Sequence, residues 1–198
     1  MRVLIAGDSS AAGVGVAHQD QSVAGYLTRA LHQRGARPVH WALHARSGLT
    51  TRQVHELLQA ERPAAADVAV VITGVNDVID QVPSGRAVQH RVALADWLLG
   101  ERLALHVLFA PLPPIHHFPL LPQPLRRVMG DDARRHNAAI QRWAATRSDV
   151  SVATIALALG ADSMASDGFH PGEPVYRVCG EALGRFIADE LIPREMRP

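Results

Sequence analysis

The sequence predicts a three-layer α/β/α sandwich around a parallel sheet, and three observations predict it. Short apolar runs alternate with stretches of helical periodicity; most of those runs are continuously apolar; and the residues able to do chemistry cluster just after them. Strands covered by helices on both sides bury both faces, so they read as unbroken apolar segments. Right-handed crossovers then bring the strand carboxyl ends to one edge, where ligands of such sheets bind.

Five runs are the predicted strands: "VLIAG" (3–7), "VHWALH" (39–44), "VAVVIT" (68–73), "LALHVLFA" (103–110) and "VSVATIA" (150–156). Between them, Val23, Leu27, Ala30 and Leu31 repeat at helical spacing before Gly35, and Val88, Val92, Ala95 and Leu99 do so before Gly100. A last helix is expected to start at Pro174 and to carry Val175, Val178, Ala182, Leu183, Phe186, Ile187 and Leu191, with Pro193 as its stop. Shorter helical patterns occupy 51–61 and 132–146. Residues 111–130, "PLPPIHHFPLLPQPLRRVMG", carry six prolines and read as a long loop after strand four, of the kind that forms a lid or a binding wall.

Composition narrows the chemistry. At 198 residues and 47% hydrophobic, the chain suits a single domain over its whole length with an adequate core. Its one cysteine, Cys179, rules out an intramolecular disulfide and any multi-cysteine metal site, and reads as a small buried residue. There is no lysine, which removes Schiff-base chemistry, a Ser-Lys dyad and the P-loop lysine. A net charge of +1 recruits neither nucleic acid nor an anionic membrane. No apolar run is long enough for a transmembrane segment, and the first strand begins by Arg2, so a cytoplasmic protein is expected; an exported one trimmed of its leader would read the same.

The strand ends supply the parts of an acyl-transfer site. Gly7, Asp8, Ser9 and Ser10 follow strand one; "ARSGLTT" with Gly48 follows strand two; "TGVND" with Asn76 and Asp77 follows strand three; and "ASDGFHPG" with Asp167 and His170 follows strand five. A serine hydroxyl is a weak nucleophile at neutral pH and needs a base, an acid to orient that base, and donors for the oxyanion. His170 suits the base, and Asp167, three residues earlier, can reach it within a turn.

Taken singly, each block has an ordinary explanation: Ser9 and Ser10 as a helix start that either could cap, and the two Gly/Asn/Asp stretches as turns. A phosphate-cradling G-x-G-x-x-G loop would need a glycine where His18 stands. His116 and His117 lack a third ligand at a motif spacing and read as lid or surface residues, so no metal is expected. His40 and His44 lie on one face of strand two, where either can contact substrate or be a buried, hydrogen-bonded histidine. Trp41, Trp97 and Trp143 read as packing residues.

In order and wording, the four blocks resemble those of the SGNH hydrolases, the GDSL-type esterases and lipases, over residues 7–171. The resemblance implies a flavodoxin-like fold with sheet order 2-1-3-4-5 and a catalytic set of Ser9, Asp167 and His170. It also implies an oxyanion hole from the Ser9 and Gly48 backbone N–H groups and the Asn76 amide, with Asp8 and Asp77 behind the site positioning these parts. Ser10 departs from the pattern, since a leucine is common there. The implied reaction is hydrolysis of a small-molecule carboxylic ester through an acyl-serine, with no cofactor.

Leu112, Ile115, Phe118, Leu120 and Leu121 are the expected acyl-pocket residues, for short to medium chains. Thioesterase, lysophospholipase and carbohydrate O-acetyl esterase activities share the same parts, and a non-catalytic ligand-binding module is the alternative of another class.

Overall fold

The computed structural model describes residues 1–35, 38–157 and 159–192. Five parallel strands, β1 (Arg2–Gly7), β2 (His40–Ala45), β3 (Ala66–Ile72), β4 (Ala104–Phe109) and β5 (Val150–Val152), form one sheet in the order 2-1-3-4-5. The helices are α1 (Ser9–Ala12), α2 (Val23–Gln33), α3 (Thr51–Glu61), α4 (Val75–Ile79), α5 (Ser84–Gly100), α6 (Leu125–Ala144) and α7 (Glu173–Phe186).

Alternation of side chains along the strands sorts the core into two layers. Val3, Ile5, Val68, Val70 and Leu108 face α2 and α7. Leu4, Ala6, Ala69, Val71, Val107 and Phe109 face α3, α5 and α6. All eleven are buried, which is why residues 3–6 of β1 and 68–72 of β3 are continuously apolar in sequence, while β4 admits a half-buried His106 and an exposed Leu105. β2, at the sheet's edge, runs from exposed to half-buried, and its Trp41 is 39% exposed. Trp97 and Trp143 do pack, against His55 and Phe109 respectively, so the packing expectation fails for Trp41 alone.

Three boundaries differ from the sequence expectation. β5 ends at Val152: its partner β4 ends at Phe109, and after the Ala153 N–H donates to the Phe109 carbonyl the chain leaves the sheet. α6 begins at Leu125, inside the proline-rich segment, and its first turn has Pro124 just before it. α7 is followed by a π-helical turn over Ile187–Leu191, while the expected stop at Pro193 lies outside the described residues. What is left of the proline-rich loop folds onto a small core of its own, formed by Val78, Leu112, Ile115, Phe118, Met129 and Ala133. Among the described residues no helix is long and apolar enough to cross a membrane.

Candidate active site

The first turn after β1 is shaped by a close approach. A Cβ on Gly7 would stand 2.0 Å from the Ile72 carbonyl oxygen of β3, so only glycine lets the two strand ends lie side by side there. The chain then enters α1. Its cap is neither serine but Asp8, whose carboxylate accepts from the Ser10 N–H at 2.9 Å. Ser9 leads the helix, so its own N–H is one of the first-turn amides that has no acceptor within the helix.

The Asp8 carboxyl is 2% exposed. Burial pushes its pKa up to about 6, against the Ser10 N–H bond that favours the anion.

Gly48 has a φ of +82°, and a Cβ there would meet no protein atom within 4 Å. Glycine is therefore required at 48 by the left-handed backbone and not by crowding within the protein. The next residues are tied to the turn after β3. The Asn76 side-chain N–H donates to the Leu49 carbonyl at 3.0 Å, and Asp77, fully buried, accepts from both the N–H and the hydroxyl of Thr51 at 2.9 and 2.8 Å. An amide NH2 has two hydrogens, so the bond to Leu49 orients Asn76 and leaves the second hydrogen for another acceptor.

Behind this turn lies Arg91 of α5, 2% exposed, whose guanidinium donates to the Thr73 carbonyl at 3.3 Å and packs against the Gly74 α-carbon. Burial lowers its pKa and the nearby Asp77 opposes that.

The last block forms a compact loop. The Met164–Pro171 bridge closes it, and the Gly168 carbonyl accepts from the Leu120 N–H at 3.1 Å, joining it to the proline-rich segment. Within it the Asp167 carboxylate faces three donors: Nδ1 of His170 at 2.6 Å, and the backbone N–H groups of Phe169 and His170, both at 2.9 Å. The His170 bond first, then those amides, hold the Asp167 pKa down to about 2, so it is an anion at neutral pH. That anion sets the proton of His170 on Nδ1 and leaves Nε2 as the basic nitrogen.

Ser9, Asn76 and His170 line one cleft, walled by Phe118, Met164 and Phe169. Serine, imidazole and carboxylate in this arrangement can perform nucleophilic acyl transfer. The structure thus brings together Ser9, Asn76, Asp167 and His170 and ties Gly48's loop to Asn76.

It does not bring the five expected pocket residues together. Phe118 lines this cleft and Leu112 a neighbouring cavity, whereas Ile115, Leu120 and Leu121 line neither. Ile115 is used up in the segment's own core, Leu121 packs against that core, and Leu120 is 58% exposed. His44 bonds to Glu61 through Nδ1 at 2.6 Å, and His40 is exposed on β2. His116 packs on Gly130 and stacks on His117.

Arg91 and Thr51 lie outside the site residues that the sequence predicts. The only signal for the first was an arginine one turn after Val88 on an otherwise apolar helical face.

The chain belongs to the GDSL-like Lipase/Acylhydrolase family, whose model matches residues 5–178. Membership makes it, by class, a hydrolase of carboxylic esters. Similar solved structures include the lipase Lip_vut3 from a goat rumen metagenome, with 16% identity, 97% of this chain and 100% of that one covered, and a TM-score of 0.79. A family 3 carbohydrate esterase from Clostridium thermocellum is 17% identical, with 100% and 98% covered and a TM-score of 0.71. The psychrotrophic esterase EstA from Pseudoalteromonas sp. is 17% identical, with 95% and 99% covered and a TM-score of 0.67. At these identities the likeness is one of fold. No curated protein matches the sequence.

Proposed function

We propose that the protein hydrolyses carboxylic esters of short to medium acyl chains through an acyl-enzyme on Ser9. The observation that carries this reading is the Asp167–His170 bond in a loop whose histidine shares a cleft with Ser9. In the proposed reaction Ser9 Oγ attacks the ester carbonyl while His170 Nε2 takes its proton, and the imidazolium is stabilised by the Asp167 anion. The Ser9 and Gly48 N–H groups and the Asn76 amide donate to the oxygen as it becomes an anion. In other hydrolases, loss of one such donor lowers kcat by roughly a hundredfold or more. His170 then protonates the leaving alcohol, and water repeats the sequence to free the acid.

Phe118, Met164, Phe169 and Val175 make the walls of the cleft apolar, which favours lipophilic esters. Acetylated carbohydrates are the second reading, favoured by the two carbohydrate esterases among the fold relatives, from Clostridium thermocellum and from Sinorhizobium meliloti. The test is labelling by a fluorophosphonate, together with hydrolysis of p-nitrophenyl esters and of an acetylated xylo-oligosaccharide, by wild type, Ser9→Ala and Ser10→Ala. Loss of labelling and turnover in Ser9→Ala alone is expected. An unlabelled, inactive wild type would favour a ligand-binding module instead, and equal loss in Ser10→Ala would move the nucleophile.

A further inference from the structure

Beside the catalytic cleft lies a much larger cavity, about 460 Å³, within the range of pockets that take small ligands. It sits over the carboxyl ends of β3, β4 and β5, between one face of α6 and one face of α7. Its origin is plain in the side chains. Ala110 and Ala153 follow β4 and β5, and Ala133 stands on the α6 wall, so small residues occupy positions where large ones would fill the space. The early departure of the chain from β5 opens the same side.

Well-packed interiors leave few voids of this kind. The α7 wall is Val175, Tyr176, Cys179 and Leu183, on one helical face. Polar side chains reach the lining as well, Asp8, Thr73, His116, Arg134, Gln141 and Thr154 among them, together with Asn137, whose amide is spent on the Leu112 backbone at 2.8 and 2.9 Å.

The cavity and the cleft share Ser10, Val75, Pro113, Pro171 and Val175 in their linings, so the two spaces adjoin at these side chains. Ser10 is the smallest of the five in side-chain volume, and it is next in sequence to Ser9.

We propose that the acyl chain of the ester runs past Ser10 into this cavity, which makes medium-chain acyl esters the substrate class. The inference rests on the ester-hydrolase reading above and adds the substrate's acyl group to it. From Val175 to Leu183 the α7 wall extends about 12 Å, a reach matched by an extended chain of roughly eight to ten carbons. Leu112 is the one member of the expected acyl-pocket set that belongs to it. Cys179 lies partway down the wall, far enough along α7 to alter the depth of the cavity without touching the cleft.

The experiment measures kcat/KM for p-nitrophenyl acetate, butyrate, hexanoate, octanoate and decanoate with wild type, Cys179→Phe and Cys179→Ala. It is paired with calorimetric binding of octanoate to Ser9→Ala and to Ser9→Ala with Cys179→Phe. Wild type should gain about three- to fourfold per added methylene up to octanoate. Cys179→Phe should move the optimum to shorter chains and lower the octanoate-to-acetate ratio at least tenfold, and Cys179→Ala should shift it the other way. A folding defect cannot produce shifts of opposite sign.

Octanoate should bind Ser9→Ala and lose at least tenfold in affinity when Cys179→Phe is added to fill the cavity. A profile highest at acetate, or one indifferent to both variants, overturns the acyl-chain proposal while leaving the hydrolase reading standing. Wild type inert toward every ester, with octanoate still bound in a Cys179-dependent way, would overturn the hydrolase reading and keep the cavity as a fatty-acyl site.

Discussion

Asp77 holds Thr51 twice on a single carboxylate oxygen, through the Thr51 N–H at 2.9 Å and its hydroxyl at 2.8 Å. Together with the Asn76–Leu49 bond, that contact fastens the start of α3 to α4, which carries Asn76. Asp77→Ala would free both and leave the buried Arg91 without its nearby anion, so unfolding in urea should show a loss of about 3 kcal/mol. Asp77→Asn, which still offers an oxygen to Thr51, should lose less. A loss under about 1 kcal/mol for the alanine variant would mean that the contact is incidental.

Asp167 gives a pH signature. Its folded pKa lies below the unfolded one, near 2 against 3.8, so its contribution to stability is present above about pH 4 and disappears as the pH falls toward 2. Acid unfolding of the wild type should accordingly be steeper over that window than that of Asp167→Asn. Half-exposure of the side chain keeps the effect small. Turnover should respond far more: loss of the anion that sets the His170 tautomer is expected to lower kcat by about a thousandfold or more. An Asp167→Asn enzyme within tenfold of wild type would remove this residue from the mechanism.

Asp8 behaves in the opposite sense. Burial raises its folded pKa to about 6, above the unfolded 3.8, so the folded state gains stability as the proton is taken up and loses it as pH rises from about 4 through 6. Asp8→Asn keeps an acceptor for the Ser10 N–H and removes the buried charge. The variant should match wild type in stability near pH 4 and exceed it by up to about 3 kcal/mol at pH 8. Equal pH dependence of the two proteins would refute this account.

Gly7 and Gly48 are glycines for different reasons, and alanine separates them. At 48 the penalty is the left-handed backbone alone, about 1–2 kcal/mol. At 7 a Cβ would press on the Ile72 carbonyl of a central strand, and the loss should be larger and should carry Ser9 with it. Comparable unfolding midpoints for Gly7→Ala and Gly48→Ala would contradict the close approach of β1 and β3.

The sheet was legible because Val3, Ile5, Val68, Val70 and their neighbours are buried on both faces, which leaves an unmistakable apolar run. Trp41 was not, because an edge strand exposes what a central one hides, and position in the sheet is a tertiary property. The cap of α1 escaped since Asp8, Ser9 and Ser10 are all good cap residues and only the backbone decides among them. Ser9, Asn76, Asp167 and His170 stood out because each is a polar residue in a block that follows a strand, in the order the family resemblance implies. Arg91 could not, being one arginine among the twenty basic residues until the packing of α5 buries it. The cavity owes its volume to small residues at Ala110, Ala133 and Ala153, and no single residue announces that.

The loop bearing Asp167 and His170 follows every strand of the sheet and leads directly into α7, whereas Ser9 follows the first strand. α7 in turn lies against α2, with Gly180 allowing its backbone within reach of Val23 and Leu27. During synthesis Ser9, the proposed nucleophile, therefore leaves the ribosome long before His170, its proposed base. All five strands can emerge before the group proposed to activate Ser9. On the proposed mechanism, hydrolytic competence arrives only when α7 closes against α2, so turnover would report that these two distant stretches of chain have come together.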